Sequence, residues 1–354
     1  APFLYLVRRS GRGRSPVAVE RRLRGPARDR PHFNRPGAGD RRSGYPRGLA
    51  GGPGADSSER RSRPTSVFAE PTHTLTIACP DRVGIVAAVS RFIADRGGWI
   101  VEASHHADEA SGRFFMRNEL RASSLAACGI TLAQFRAGFA PIAAKFGMDW
   151  AVTDSAVRKR VVILVSRLDH CLVDLLYRWR ARELDCEIVA VISNHPDLRG
   201  YVEWHGVPFR HVPVPKDEAG ASAAVERLSG DGGGGVMVPA RYMQILPAGL
   251  TRRLPGRIIN IHHSFLPSFV GARPYRQAFE RGVKLIGATS HYVTEQLDEG
   301  PIIEQDVVRI DHGDTENDLV RYGRDIEKVV LARALKYHLE DRVLLNGCKT
   351  VVFR

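Results

Sequence analysis

Three polar residues in the second half of the chain combine side chains that can do chemistry. Asn260 interrupts an apolar segment of isoleucines, and His262 comes directly after that segment. Further along the chain, Asp298 lies in a stretch that also contains glycine and proline. An amide, an imidazole and a carboxylate are sufficient to polarise a carbonyl group and to move a proton. We therefore take them as candidate catalytic residues, although each alone is also common in turns and helix caps.

The segment that would position Asn260 and His262 has the pattern of a short buried strand. Its isoleucines are β-branched, which favours extended structure. In an open α/β sheet, ligands bind at the carboxyl ends of the strands. We therefore expect a binding site where this strand ends.

Other apolar segments of residues 157–354 alternate with helical patterns, which is typical of a doubly wound, mostly parallel α/β sheet. We expect the last helix to be broken at Gly323, and the glycines at 232–235 to loosen the entry to the strand that follows them. The predicted strands are 161–165, 187–192, 236–238, 257–261, 284–293, 301–310 and 349–353, and the predicted helices are 171–182, 222–228 and 314–339.

Residues 73–156 predict a smaller domain, joined to the sheet by a linker at Arg158-Lys159-Arg160. Strands at 74–78, 99–102, 113–120 and 148–152 and helices at 85–95 and 131–146 give the βαββαβ order of ferredoxin-like folds. This order resembles an ACT domain, a regulatory module that often binds amino acids at the loop after its first strand. Asp81-Arg82-Val83-Gly84 occupies that loop, where such domains usually carry Asp-Arg-Pro-Gly. The resemblance implies an amino-acid effector such as glycine or methionine, and an ordinary helix-capping turn is the alternative.

Length and composition indicate a globular protein of two or three domains. The chain has 354 residues, of which 43% are hydrophobic and 26% charged. No apolar run approaches the ~20 residues that a membrane helix requires, so we expect no membrane span. Five scattered cysteines without a CxxC pair fit a reducing compartment such as the cytoplasm. His170-Cys171 and His262-His263 are adjacent pairs rather than zinc-ligand spacings, so we expect no metal.

The excess positive charge is concentrated in residues 1–72. This segment contains 16 arginines and 6 acidic residues, whereas residues 73–354 contain 36 basic and 33 acidic residues. Because it is rich in arginine, glycine and proline and lacks apolar periodicity, we expect a disordered leader. Three interpretations remain open: translated upstream sequence without function, an organelle transit peptide, and a nucleic-acid-binding arm. The arm comes last, because interleaved aromatic residues are few.

From Val161 onwards, the chain resembles the folate-dependent formyltransferase family. With the ACT-like domain in front, it is most similar to the deformylase branch of that family. Segments typical of that branch are Ser166-x-x-Asp169-His170-Cys171, Ala240-Arg241-Tyr242-Met243-Gln244-Ile245-Leu246 and His263. The family resemblance itself is carried by Ile259-Asn260-Ile261-His262-x-Ser264-x-Leu266-Pro267, Gly271, Gly287-Ala288-Thr289-x-His291-x-Val293 and Asp298-x-Gly300-Pro301-Ile302-Ile303.

The resemblance implies hydrolysis of 10-formyltetrahydrofolate to formate and tetrahydrofolate, without a cofactor. Asn260 and His262 would then stabilise the charge that develops on the formyl oxygen. Asp298 would hold His262 and accept a proton from water, and an apolar wall would raise its pKa for that task. The formate would supply purine synthesis, and the reaction would balance the one-carbon folate pools.

The resemblance also implies a folate pocket that makes contacts largely through backbone groups. For residues 243–246, packing of the side chains in the core is an equal alternative. The residues that would line the pocket are Met243, Gln244, Ile245, Leu246, His291 and Val293.

Two other functions remain open, which are formyl transfer to an amine and non-catalytic sensing of folate or an amino acid. Transferases cradle a substrate phosphate in a glycine-rich loop, whereas Ser166–His170 contains no glycine. This difference favours water as the acceptor of the formyl group. Because ACT domains usually pair side by side, we also expect a homo-oligomer.

Overall fold

The computed structural model describes residues 70–213, 235–268 and 273–354. The predicted leader up to residue 69, the predicted helix at 222–228, the glycines at 232–234 and Gly271 lie outside these ranges. In the described ranges, no helix combines the length and the apolar character needed to cross a bilayer.

The N-terminal part forms an antiparallel sheet with strand order β2-β3-β1-β4. This arrangement has the expected βαββαβ order, with the short helix α2 in addition. The first strand begins at Thr72, inside the segment predicted as leader, and Glu70 pairs with Arg121 at 3.1 Å. The elements are β1 Thr72–Pro80, α1 Ile85–Ala94, β2 Ile100–Asp108, β3 Arg113–Arg121, α2 Ala122–Ala127, α3 Leu132–Phe146 and β4 Asp149–Asp154.

Both faces of this sheet are covered, and β3 shows the effect most clearly. One face packs against α1 and α3 in a core rich in phenylalanine. The other face contributes Phe115 to a second cluster with Leu344 and Phe353 from the C-terminal end of the chain. Residues 114–118 are therefore buried at every position, instead of alternating between buried and exposed.

The C-terminal part contains a parallel sheet followed by antiparallel strands. Strands β7, β6, β5 and β8 are parallel neighbours, and a single parallel bridge between Met237 and Ile258 connects β8 to β9. From β9 onwards the pairing with β10 and β11 is antiparallel, so the parallel arrangement ends at the Asn260 strand. The elements are β5 Lys159–Val165, α4 His170–Arg180, β6 Cys186–Ser193, α5 Arg199–Trp204, β7 Phe209–His211, β8 Val236–Pro239, α6 Ala248–Arg253, β9 Ile259–His262, α7 Pro274–Arg281, β10 Leu285–Tyr292, β11 Ile302–Arg309, α8 Glu316–Leu339, β12 Val343–Asn346 and β13 Lys349–Val352.

Two expectations about these elements were wrong. Lys159 and Arg160 are the first residues of β5 rather than part of a linker. Helix α8 continues through Gly323 without a break. A Cβ atom at Gly323 would overlap the ring of Tyr275, so the glycine permits close packing of α7 on α8.

Candidate active site

Asn260 and His262 lie in β9, and the register with β10 brings further polar side chains to them. Asn260 is opposite His291, and His262 is opposite Thr289. His262, His291 and Thr289 are buried, while Asn260 is partly exposed. The antiparallel pairing therefore adds a second imidazole to the strand end that the sequence singled out.

Hydrogen bonds orient His291 and Asn260 relative to each other. Nδ1 of His291 lies 3.0 Å from the carbonyl oxygen of Tyr292. A carbonyl oxygen can only accept, so Nδ1 carries a proton and Nε2 points towards the site. The Asn260 amide nitrogen lies 3.4 Å from this Nε2. An unprotonated Nε2 accepts one amide hydrogen of Asn260, whereas a protonated Nε2 donates to Asp298 instead. In both states Asn260 keeps an amide hydrogen for a ligand.

Asp298 bridges the two imidazoles. Its Oδ2 lies 3.2 Å from Nδ1 of His262, and its Oδ1 lies 3.6 Å from Nε2 of His291. The carboxylate thus fixes Nδ1 of His262 as a donor, while Nε2 of His262 is buried and has no hydrogen-bond partner among the described residues. Asp298 has a left-handed backbone with φ of 56°, which aspartate tolerates better than most residues. The three predicted catalytic residues therefore converge in space.

The electrostatic environment of Asp298 differs from the expectation. Hydrogen bonds from His262 and His291 hold its pKa well below the ordinary value, and partial burial does not compensate for them. The apolar wall that was expected to raise the pKa is outweighed by two imidazole donors. The carboxylate is therefore an anion throughout the neutral pH range.

A cavity of about 730 Å³ opens at this convergence point. Asn260, His262 and Asp298 line it, as do all six residues predicted to form the folate pocket. Met243 and Ile245 are 57% and 82% exposed, so their side chains do not pack in the core. Leu246 packs against a buried cluster. Met243, Ile245 and Leu246 thus form an apolar wall of the cavity, which a flat aromatic ligand could cover.

Comparison with known proteins assigns this arrangement to a family. Residues 159–335 match the family described as Formyl transferase. The formyltetrahydrofolate deformylase of Bacillus subtilis (strain 168) is 48% identical over 285 residues, 79% of this chain and 93% of that protein. The crystal structure of a formyltetrahydrofolate deformylase from Pseudomonas syringae pv. tomato str. DC3000 is 61% identical, with a TM-score of 0.79. That match covers 81% of this chain and 96% of the other. The chain belongs to the formyltetrahydrofolate deformylase family.

A transferase of the wider family matches less of the chain. Glycinamide ribonucleotide transformylase 1 from Symbiobacterium toebii is 30% identical, with a TM-score of 0.51. The match covers 95% of that chain but 56% of this one. The deformylase matches therefore include a larger part of this chain than the transformylase match does.

The motifs around the site that carry the formyltransferase-family resemblance also have a structural reason. Thr289 donates to the carbonyl oxygen of Ser264 at 2.8 Å and accepts from the Leu266 amide at 3.0 Å, which fixes the turn after β9. Gln305 also donates to the Thr289 hydroxyl, at 2.9 Å. A Cβ atom at Gly300 would overlap the backbone of Tyr292, so only glycine lets the Asp298 loop return this closely to β10.

A second polar cluster in the deformylase cavity was not predicted as part of the site. Glu327 of α8 is fully buried, and it contacts His170, Tyr275 and Arg241. Glu327 lies on the apolar stripe of α8, which also contains Leu319, Gly323 and Leu331. A glutamate on such a stripe is a sequence signal that could have identified the cluster.

The donor set of this cluster does not favour a metal ion. His170, Cys171 and Glu327 bring potential ligand atoms within 4.8 Å of one another. However, burial raises the pKa of the Cys171 thiol well above its usual value, so a thiolate ligand would form less readily here than at an exposed cysteine. The Arg241 cation lies against the same carboxylate and would oppose a second cation. The expectation of no metal stays a prediction.

The predicted effector loop lies in the N-terminal sheet. Asp81, Arg82, Val83 and Gly84 are all exposed. The amide of Asp81 donates to the carbonyl oxygen of Gly112, and Gly84 adopts a left-handed conformation with φ of 94° before α1. The loop is therefore held by its backbone, and its side chains are free to meet a ligand or a second surface.

Proposed function

We propose that the chain hydrolyses 10-formyltetrahydrofolate to formate and tetrahydrofolate. The observation that carries this proposal is that Asp298 holds Nδ1 of His262, while the buried Nε2 of His262 has no hydrogen-bond partner in the part of the chain that the structure describes. An unpaired polar atom in a buried site is costly, so a ligand atom is the natural partner. The formyl oxygen of the substrate has the required chemistry, and the family relationship supports this choice.

In this proposal, water adds to the formyl carbon and negative charge develops on the formyl oxygen. Asn260 donates a free amide hydrogen to that oxygen, and His262 donates its Nε2 proton. One donor of this kind is typically worth ~3 kcal/mol in the transition state. Both donors lie on the short strand β9, which restricts their motion.

The lowered pKa of Asp298 changes the role proposed for it. A carboxylate that is bound by two imidazoles is a weak base, but it stabilises the imidazolium form of His262. Once His262 has transferred its Nε2 proton to the formyl oxygen, the free Nε2 accepts the proton lost by water and passes it to the tetrahydrofolate nitrogen that leaves the formyl carbon. Asp298 stabilises the imidazolium each time it forms. No atom outside the substrate, water and these side chains is required.

The folate part of the substrate would lie along the apolar wall. Met243 and Ile245 offer exposed apolar surface there, and Val293 lies beside them at the start of the Asp298 loop. The backbone of this wall is itself held in place, because the Met243 amide donates to the Ser166 hydroxyl at 3.1 Å.

The decisive experiment is the release of formate from 10-formyltetrahydrofolate by the full chain, with and without an added amine acceptor. We expect release in water alone. Formyl transfer to the amine with no hydrolysis in its absence would favour a transferase, and tight folate binding without turnover would favour a sensor.

We further propose that the N-terminal sheet is an ACT-like domain that regulates the enzyme by binding an amino acid at the Asp81–Gly84 loop. The exposed side chains of the loop are consistent with this role. The test compares the rate of formate release with and without glycine or methionine. We expect Asp81→Asn to abolish the response and the matched change Asp95→Asn, outside the loop, to preserve it. A response that survives Asp81→Asn would contradict the assignment.

We place the reaction in the cytoplasm, as a source of formate for purine synthesis and a control on one-carbon folate pools. All five cysteines are free, which fits a reducing compartment. We also propose a homo-oligomer in which N-terminal sheets pair. Light scattering of the full chain would test it, and a monomer at micromolar concentration would contradict it.

A further inference from the structure

The cavity that contains His262 is also lined by polar residues that the proposed hydrolysis does not use. They are Arg241, His263, Tyr275 and Glu327, and we call this group the polar arm. The ring of His263 lies 5.2 Å from the ring of His262, so the arm is adjacent to the position where the formyl group would react.

Glu327 is the anchor of the polar arm. Its Oε1 accepts from the Tyr275 hydroxyl at 2.6 Å, and its Oε2 accepts from Nε2 of His170 at 2.8 Å. Nε of Arg241 lies 3.3 Å from the same Oε2, close enough for an ion pair although not aligned for a hydrogen bond. Both carboxylate oxygens are therefore engaged, and the carboxylate holds the guanidinium in place.

Arg241 is held in an unusual conformation at the end of β8. Its φ is 64°, in the left-handed region that a non-glycine residue adopts only where its surroundings fix it. The side chain is only 10% exposed, and Glu327 is its one ion-pair partner among the described residues. A guanidinium has five N–H donors, so this side chain retains donors for a ligand in the cavity.

Hydrolysis produces formate and tetrahydrofolate, and the two products would occupy different parts of the cavity. Tetrahydrofolate would occupy the apolar wall, so the formate formed beside His262 needs a different position in the cavity while both products are bound. Formate is a small planar carboxylate, and the fork of an arginine side chain matches two carboxylate oxygens. Burial lowers the pKa of His263 to about 4, so His263 is uncharged at neutral pH and Arg241 supplies positive charge beside it.

We propose that the polar arm is a formate-binding site, in which Arg241, positioned by Glu327, binds the carboxylate product beside His262. The choice of formate rests on the proposed hydrolysis. The site itself would accept any small planar monoanion, and formate is the probe for testing it.

The test is equilibrium binding of ¹³C-labelled formate to the full chain, followed by NMR, with no turnover required. We expect saturable binding that persists when tetrahydrofolate is present. Arg241→Gln should weaken formate binding at least ten-fold, and Arg241→Lys, which keeps the charge but loses the fork, should weaken it less. The matched control Arg333→Gln removes an exposed arginine of α8 that pairs with Asp306, and it should leave binding unchanged.

Several outcomes would overturn the proposal. Absence of saturable formate binding to the unaltered chain is one, and binding to folded Arg241→Gln or Arg241→Lys as tight as to the unaltered chain is another. Loss of formate binding on addition of tetrahydrofolate would place formate at the apolar wall instead. Binding is measured without turnover, so it can be separated from the proposed function. If the chain binds formate at Arg241 but does not hydrolyse the substrate, the proposed function is wrong and the formate-binding site still stands.

Discussion

Asp298 is the residue on which the proposed chemistry depends most directly. It holds one imidazole with each carboxylate oxygen, so a single side chain orients both His262 and His291. The residue types of this site were predictable from the sequence, because a polar pair at the end of an apolar strand has no packing role. The participation of His291 in holding Asp298 was not, since it follows from the strand register.

The first prediction concerns Asp298→Asn. An amide has nearly the same shape, but it cannot stabilise an imidazolium, so kcat for formate release should fall by about 10²- to 10⁴-fold. Folate binding should change little, because the apolar wall is intact. Asp325→Asn, at an exposed acid of α8 paired with Lys328, is the control and should retain full activity. A kcat of Asp298→Asn close to that of the control would contradict the role given to this carboxylate.

A second prediction about a single residue concerns His338, whose Nδ1 lies 2.7 Å from the Tyr292 hydroxyl. Burial, followed by the Lys159 cation, lowers its pKa from 6.5 to about 4. Between these two values the unfolded chain binds a proton that the folded chain does not. Stability should therefore fall as the pH drops from about 6.5 to about 4, by up to about 3 kcal/mol.

The measurement is the free energy of unfolding from urea titrations at several pH values. His338→Asn keeps a polar group near Tyr292 but cannot take up this proton, so its stability should depend less on pH in that window. His312→Asn, at an exposed histidine, should behave as the unaltered chain does. Equal losses of stability in all three proteins would exclude His338 as the source.

At the scale of elements, the periodicity of apolar residues predicted most of the described helices and strands, because burial of one face dictates it. Close approaches between elements were not predictable in this way. Gly323 was expected to break α8, yet it lies within a continuous helix and admits the ring of Tyr275. Gly300 similarly admits the backbone of Tyr292. A glycine in a sequence gives no information on whether it ends an element or receives a neighbour.

The prediction that follows compares two glycines in helices. Alanine has the higher helix propensity by up to about 1 kcal/mol, so Gly249→Ala in α6, where nothing lies within 4 Å of the new Cβ, should stabilise the chain. Gly323→Ala should instead destabilise it by about 1–2 kcal/mol, because displacement of Tyr275 outweighs the propensity gain. Chemical denaturation of both variants tests this. Stabilisation by Gly323→Ala would show that Tyr275 and α7 can move away from the new methyl group without loss of stability.

At the scale of the whole molecule, the N-terminal sheet is joined to the C-terminal part by contacts between residues far apart in sequence. Arg117 of β3 donates to the carbonyl oxygen of Glu340, just after α8, and the side chain of Asp341 accepts from both Thr153 and Lys159. Helix α8 also carries Glu327 into the cavity, so one rigid element reaches both the sheet and the site. The sequence predicted both parts but not these contacts, because charged residues far apart in sequence show no pattern that pairs them.

Arg117 makes the strongest case for such a connection, because only 3% of its side chain is exposed. Its guanidinium donates to Glu102 at 3.1 Å and to Glu119 at 2.9 Å, as well as to Glu340. Arg117→Met keeps the apolar stem but leaves both carboxylates without this cation, so the free energy of unfolding should fall by about 3 kcal/mol. Arg333→Met, which removes an exposed ion pair, should cost less than about 1 kcal/mol. Hydrogen exchange should also become faster at the end of α8 in Arg117→Met. Equal stability losses in the two variants would show that Arg117 adds nothing to the connection between the two parts.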